Sequence, residues 1–354
     1  MNIKKVASAF FAENIICSVA PFGGGLINET FMITTREGGR YILQHINKNV
    51  FKNPVAVMEN ACGVTEFIRN KGGVALSFLR TPDGKACYED ESGEFWRAYD
   101  FVEGLSMDVP ESDEDFYQSG LAFGGFQHML SDYPAATLHE TIPNFHNTPD
   151  RYRQFHETLA ADPAGRKETA LPEIEFYLSQ EERGGRLYAM LQRGVLPLRV
   201  THNDTKLNNV LLDPETHAPL CVLDLDTVMP GLSAYDFGDS IRTGAAIAAE
   251  DEQDTSKMKL DLHLFEIFTR GFMHGAPSLT EAEVKALPLG AFVMTLECGV
   301  RFLKDYLDGD IYFRTGYPTH NLVRCRTQMA LCIDMLAHWA EMEAIVETVA
   351  KEIR

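Results

Sequence analysis

The sequence predicts an α+β fold of two lobes, a small one built on antiparallel sheet and a larger one that is mainly helical. Three observations carry this. The first hundred residues alternate short aliphatic and aromatic runs with glycine turns, as in Phe31 to Thr35 and Tyr41 to Gln44 around Glu37-Gly38-Gly39. Beyond residue 113 the apolar residues recur at helical spacing over long segments. Between those helices lies one hairpin-like stretch, Val200 to Asp226, that ends on carboxylates. We place the lobe boundary after Glu103, giving segments 1–103 and 104–354.

Taken in order, residues 1–15 read as an amphipathic helix. Two lysines followed by small residues imitate a signal peptide, but Glu13 and Asn14 interrupt the apolar run. Val19 to Phe22 leads into Gly23-Gly24-Gly25 and Asn28. Glycines here let backbone N–H groups approach a phosphate, although a plain hairpin turn has the same composition. A helix over 54–71 carries Val57, Ala61, Val64 and Ile68 on one side, and strands follow near 76–80, 86–88 and 95–101. Helices are expected at 113–131, 149–161, 172–193, 257–275, 288–308 and 318–350. In the last, Met329, Cys332, Ile333, Leu336, Trp339 and Val346 form a core stripe. Asp251 to Asp254 reads as a solvated acidic loop.

Composition is that of a soluble globular chain, with 45% hydrophobic and 23% charged residues. A net charge of −19 argues against nucleic acid or an anionic membrane as partner, since both need a basic surface. The seven cysteines show no C-x-x-C and mostly sit in apolar surroundings, as expected of reduced thiols in a cytoplasmic protein. No stretch reads as a membrane span, an internal repeat or a low-complexity segment.

The chemistry concentrates in VTHNDTKLNNVLLDPETHAPLCVLDLD. His202-Asn203-Asp204 opens a polar loop, Asn209 follows, and two apolar runs, 210–212 and 220–223, deliver Asp224. Folding the runs into a hairpin brings Asp204, Asn209 and Asp224 together. Phosphoryl transfer needs such a cluster: one carboxylate to orient and deprotonate the attacking hydroxyl, and a second with an amide oxygen to hold magnesium on the phosphates. A lone H-x-D is common in surface loops; the spacing H-x-D-x-x-x-x-N with a carboxylate after a second strand is not.

HNDTKLNNVLLD and LDLDTVMPGLSAYDFGDSIRTGA resemble the aminoglycoside phosphotransferase and choline kinase superfamily, a bilobal protein-kinase-like fold, and within it the N-acetylhexosamine 1-kinases most. The resemblance runs from Phe22-Gly23-Gly24 to Asn321-Leu322-Val323-Arg324. It implies Asp204 as catalytic base, Asn209 and Asp224 as magnesium ligands with Asp226 assisting, and Lys206 as a cation near the transferring phosphate. It places Gly23, Gly24 and Gly25 on the ATP phosphates. Tyr99 to Gly104 resembles the inter-lobe hinge, with Asp100, Phe101 and Val102 along the adenine. It sets Asn28, Arg301, Tyr312 and Arg324 around the sugar beside Asp204. Asp236 spells the start of DFG but corresponds to a residue that braces the catalytic loop.

The implied reaction is ATP-dependent phosphorylation of the anomeric hydroxyl of N-acetylglucosamine or N-acetylgalactosamine. An aminoglycoside, choline or homoserine is the alternative acceptor, and the acidic charge alone does not separate these. A kinase-like binding module without activity is the alternative of another class; Asp204, Asn209 and Asp224 together argue against it. The chain departs from the general kinase pattern on its third strand. Gln44 stands in Leu43-Gln44-His45-Ile46 where a phosphate-binding Lys pairs with a helix Glu, and neither Glu59 nor Glu66 has an evident partner. The N-acetylhexosamine kinases look the same at this point.

Overall fold

The computed structural model describes residues 3–23 and 28–353. Gly24 and Gly25, expected on the phosphates, lie outside the described residues. A short helix, α1 (Ile3–Ala7), precedes an antiparallel sheet of β1 (Ile16–Pro21), β2 (Thr30–Thr35), β3 (Arg40–Ile46), β4 (Tyr88–Glu89) and β5 (Phe95–Asp100), in the order β1-β2-β3-β5-β4. The two-residue side-chain period splits the sheet's residues between its faces. Ile33, Leu43, Trp96 and Ala98 pack with Val6, Ala7 and Phe11. Ile46 packs instead with Val57, Met58 and Cys62 of α2 (Pro54–Asn70), a helix that Asn53 caps at the Ala56 N–H.

The rest is dominated by helices: α3 (Asp113–Met129), α4 (Thr148–Ala161), α5 (Leu171–Ser179), α6 (Glu181–Gly184), α7 (Arg186–Gln192), α8 (Ser233–Gly244), α9 (Leu262–Gly275), α10 (Glu281–Asp308), α11 (His320–Ala337) and α12 (Trp339–Ile353). Two small ladders interrupt them, β6 (Arg199–Thr201) with β9 (Met229–Gly231) and β7 (Val210–Leu212) with β8 (Pro219–Val222). The mixed α+β class with a sheet-bearing N-terminal part and a larger helical C-terminal part is therefore observed. Ala61, Val64 and Ile68 on α2 pack with Val200, Cys221, Leu225 and Val228, which seats the helix on the stretch around the β7–β8 hairpin.

Helix contacts in the large part depend on backbone approaching backbone. Gly120 and Gly124 on α3 face Gly271 and Gly275 on α9, and a Cβ at any of these would strike the partner helix's main chain. Gly238 and Gly290 do the same between α8 and α10. That approach buries Phe237 among Phe265, Phe268 and Phe272, with ring centroids 5.5–5.7 Å apart.

Several expectations shift. The helix expected over 1–15 spans only Ile3–Ala7, because Phe11 turns back into the sheet core. The strand expected at 76–80 reduces to one bridge, Phe78 to Tyr99. The segment 172–193 splits at Gln180 and Gly185, and 318–350 splits at His338. Helix α10 starts seven residues before Pro288, because Thr280 and Glu283 form a capping box. It is also long and apolar enough to cross a membrane, contrary to the sequence reading, but most of it is buried inside the protein as the central core helix. Helix α8 and the β6–β9 pair were not foreseen. All seven cysteines are free, and Cys17 is exposed.

Candidate active site

The polar loop between β6 and β7 is held almost atom by atom. Asp236, in the first turn of α8, accepts from the backbone N–H of His202 at 2.9 Å and of Asn203 at 2.8 Å, and from Gln127 Nε2 at 2.6 Å. This is the bracing role expected for it. Asp239, one turn later, accepts the Thr205 N–H at 3.0 Å, and Ser240 Oγ donates to the Thr205 carbonyl at 2.7 Å. Burial works to raise the Asp236 carboxyl, and the hydrogen bonds to it only partly offset that.

His202 joins the loop to the far strand. Its Nε2 donates to the Leu223 carbonyl at 2.7 Å, which leaves Nδ1 to accept the Asp204 N–H at 3.3 Å. Leu223 N–H in turn donates to the Asn209 carbonyl at 2.8 Å. The hairpin therefore brings Asp204, Asn209 and Asp224 to one place. Asn209 Nδ2 donates to the Asp204 carbonyl at 2.8 Å and to Asp204 Oδ2 at 3.2 Å, so its amide oxygen points elsewhere and can take a metal. Lys206 Nζ pairs with Asp204 Oδ1 at 2.8 Å. Burial opposes the Lys206 charge, but Asp204 and Asp239 raise its pKa on balance.

Asp224 adopts a left-handed backbone, φ 51°, as does Asn203 at φ 65°. Such non-glycine conformations store strain and gather at functional sites. Asp224 is exposed, yet the protein packed around its carboxyl, then the charges of Asp226 and Asp204, push its pKa up to about 6. A divalent cation relieves that crowding. Asp224 and the Asn209 amide fit magnesium, which takes one or two carboxylates and fills its shell with phosphate and water. Among the described residues no three His, Cys, Asp or Glu side chains converge as a complete metal cage.

Asp226 is differently placed. It is buried, its Oδ1 pairs with Arg97 of β5, and its Oδ2 accepts Asn28 Nδ2 at 2.7 Å. Asn28 Oδ1 accepts the Asn47 N–H at 3.1 Å. Both ends of the Asn28 amide are thus engaged inside the protein. Gly23 has φ +71° and open space where a Cβ would project. The preceding Phe22 packs edge-on against Phe101, centroids 5.6 Å apart. The described ends of the glycine turn therefore reach from the hinge to Asp226. In the hinge, the Asp100 and Phe101 N–H groups donate to Ser77 and Arg40 carbonyls, and Leu105 exchanges two hydrogen bonds with Leu212.

On α10, Arg301 lies against the faces of Phe145, Tyr312 and Phe313, 5.4–5.8 Å from their centroids. Arg301 and Tyr312 are thus neighbours. Among the described residues Arg301 has no ion-pair or hydrogen-bond partner. Arg242 pairs with Asp239 at 2.9 Å and Glu250 at 2.8 Å, and Arg324 Nε lies 3.8 Å from Glu250. Asp239 ties this wall to the loop, since it accepts the Thr205 N–H and pairs with Arg242. Sequence reading missed Arg97, Asp239, Arg242 and Glu250. A lone Arg between Trp96 and Ala98 in an apolar strand was a usable signal for the first; Asp239 and Arg242 sit inside the quoted DFGDSIRTGA.

A family described as the phosphotransferase enzyme family, APH, matches residues 18–266. The chain belongs to that family and is a small-molecule phosphotransferase. The fold is similar to that of a microcompartment-associated aminopropanol kinase, with a TM-score of 0.68 and 15% identity over 96% of this chain and 98% of that one. An aminoglycoside phosphotransferase from Alicyclobacillus acidocaldarius gives 0.62 and 13% over 99% and 96%. Plasmodium vivax ethanolamine kinase gives 0.60 and 12% over 92% and 87%.

Proposed function

We infer that the protein transfers the γ-phosphoryl group of ATP to the anomeric C1 hydroxyl of an N-acetylhexosamine, N-acetylglucosamine or N-acetylgalactosamine. Residues 1–103 form the nucleotide lobe and 104–354 the catalytic and acceptor lobe. Asn209 and Asp224 hold magnesium, whose bound charge neutralises the phosphates. Asp204 orients the acceptor hydroxyl and takes its proton; Lys206, paired with it, faces the transferring group. Gly23, with Gly24 and Gly25, lies along the phosphates, and Val102 offers the hinge N–H while Asp100 and Phe101 flank the adenine. Arg301, Tyr312 and Arg324 grip the sugar. Asn28 acts from the small lobe, by way of Asp226.

The observation that carries the acceptor class is the charge of the far wall. Arg242, Arg301 and Arg324 stand there against Asp239 and Glu250, and Arg301 has no carboxylate partner among the described residues. An acceptor carrying ammonium groups meets a guanidinium held in no ion pair, with only Glu297, already hydrogen-bonded to His146 and Thr148, acting on its charge, and like charges cost most where water is excluded. A neutral sugar instead finds donors for its hydroxyl and amide oxygens. The second reading is an amine-bearing acceptor of the kind named for the aminopropanol and ethanolamine kinases of similar fold, with which the net charge of −19 is equally compatible.

A panel with ATP and magnesium separates the two, reading ADP release for N-acetylhexosamines, hexoses, aminoglycosides, choline, ethanolamine and homoserine. Turnover confined to N-acetylhexosamines supports the sugar reading. Turnover confined to the amines overturns it.

A further inference from the structure

A cavity of about 370 Å³ lies between the segment leading into α4, helix α7 and β9. That volume falls in the range of small-molecule sites, roughly 300–1,000 Å³. Leu138, Ile142, Leu191 and Met229 supply its apolar wall. Asp204, Asp224, Arg301 and Tyr312 do not line it, so it is distinct from the metal and acceptor positions. It borders them through chain neighbours: Asn203 precedes Asp204, and Phe145 is one of the rings against Arg301.

Three buried side chains on this cavity carry polar atoms that meet no partner. Tyr235, in the first turn of α8, is 5% exposed, and its hydroxyl makes no hydrogen bond among the described residues. Asn203 is equally buried; its Nδ2 donates to the Thr227 carbonyl at 2.8 Å, while its Oδ1 accepts from no group among the described residues. The His146 side chain is 7% exposed; its Nδ1 donates to Glu297 Oε1 at 2.9 Å, and its Nε2 is buried without a partner. The His146 and Tyr235 rings lie 5.2 Å apart, so these groups belong to one place. Half-buried Tyr188 of α7 brings a further hydroxyl with no hydrogen bond among the described residues. Buried polar atoms are nearly always paired, and several orphans on one cavity suit a ligand that brings their partners.

The lining also limits what that ligand is. No Lys or Arg lines the cavity among the described residues, so a phosphate or carboxylate finds no counter-charge. Glu140 is exposed, and Glu297 behind His146 is already held by His146 and Thr148, so a buried ammonium finds no free carboxylate. An amide oxygen only accepts, and a tyrosine hydroxyl accepts or donates, so the matching groups are hydroxyls. The rings of Phe145, Tyr188 and Tyr235 add apolar faces beside those polar atoms.

We propose that this cavity is a second ligand site, for a neutral hydroxyl-bearing molecule about the size of one sugar ring, with Tyr235 and Asn203 as its buried hydrogen-bond partners. It is separate from the phosphotransfer centre and does not depend on which acceptor is used.

Calorimetric titration of the full chain tests this, with Arg301→Ala as background so that the acceptor wall contributes little. N-acetylglucosamine is the neutral probe, ethanolamine the cationic one and inorganic phosphate the anionic one. N-acetylglucosamine should bind in preference to the other two. Adding Tyr235→Phe should weaken it by about tenfold, the loss of one buried hydrogen bond. The melting temperature of the ligand-free protein should then stay level or rise, because the hydroxyl removed has no partner to lose. Leu191→Trp fills the cavity and should abolish the binding; Tyr235→Phe carries the test if that variant does not fold. N-acetylglucosamine binding that neither variant changes overturns the proposal, as does no binding at all or a preference for ethanolamine or phosphate. A Tyr235→Phe protein that melts lower and binds as before gives the hydroxyl a structural role and overturns it too. Binding lost in these variants, in a protein whose wild type phosphorylates no N-acetylhexosamine, supports the cavity while overturning the acceptor reading.

Discussion

The loop that carries Asp204 and the wall that carries Arg301 and Tyr312 are built on opposite plans. In the loop, His202, Asn203 and Thr205 each donate a backbone N–H to a buried carboxylate of α8, and Thr227 Oγ1 and Ser240 Oγ hold the carbonyls of His202 and Thr205. In the wall, the backbone is equally fixed, since Asp305 accepts from the N–H groups of Ile311, Tyr312 and Phe313. The Arg301 and Tyr312 side chains there are not. Tyr312 is 66% exposed, and Arg301 rests on ring faces with no carboxylate. The loop is preorganised for one reaction, and its hydrogen bonds do not depend on what is bound. Arg301 and Tyr312 make no side-chain hydrogen bond or ion pair among the described residues, so they can be altered without disturbing the loop.

Breaking the metal side should have the largest effect. Asp224→Ala removes the cleft carboxylate best placed for magnesium, and activity should fall to background while magnesium-dependent nucleotide affinity drops. Retained metal dependence, seen in a magnesium titration of nucleotide binding, would move the metal to Asp226. Asp204→Asn should lower turnover by roughly 10²-fold or more while leaving nucleotide affinity nearly unchanged, because the amide keeps the shape and loses the proton acceptor. Steady-state kinetics with parallel nucleotide titration checks this.

Asp236→Ala sharpens the comparison, since Asp236 is placed to brace the loop. It leaves two backbone N–H groups and the Gln127 amide without their acceptor, each costing roughly 1–3 kcal/mol if buried and unpaired. Both the melting temperature and turnover should fall. A variant with a lowered melting temperature and unchanged turnover would show that the loop does not need its brace. Arg301→Ala, on the free wall, should raise the acceptor KM by about tenfold with little change in the nucleotide KM or in stability. An equal effect on both substrates would contradict its place on the acceptor.

The smallest effect concerns pH. Glu283 is buried at the start of α10, and burial works to raise its carboxyl. Hydrogen bonds from Arg199, at 2.8 and 2.9 Å, and from the Thr280 N–H outweigh burial and hold it below the usual range. A carboxylate with a depressed folded pKa stabilises the fold above its unfolded pKa, and that contribution is lost as pH falls through the folded value. Melting temperature should therefore decline below the ordinary carboxylate range, and Glu283→Gln should be less stable at neutral pH but lose less on acidification. Parallel slopes for the two proteins would contradict this.

The same contrast decided what could be read from sequence. Asp204, Asn209 and Asp224 lie within 21 residues on one hairpin, so their convergence follows from local strand and turn signals. Arg97, Asp226 and Asn28 meet only because β5, the hairpin and the glycine turn are brought together by the fold, 129 and 198 residues apart in sequence. Helix α8 went unseen because residues 233–242 are all buried and include Asp236, Asp239 and Arg242, which removes the polar face that marks a helix. Those polar groups are inside because the catalytic loop is their partner. The glycines on α3 and α9 read as helix-weakening residues until the close crossing explains them.

The central claim is transfer to the anomeric oxygen of an N-acetylhexosamine. The most direct test is the structure of the product after incubation with ATP, magnesium and N-acetylglucosamine or N-acetylgalactosamine. Phosphorus coupling to the anomeric proton, with loss of reducing-sugar reactivity, is the predicted result. A product that still reduces and carries its phosphate on C6 would contradict the account.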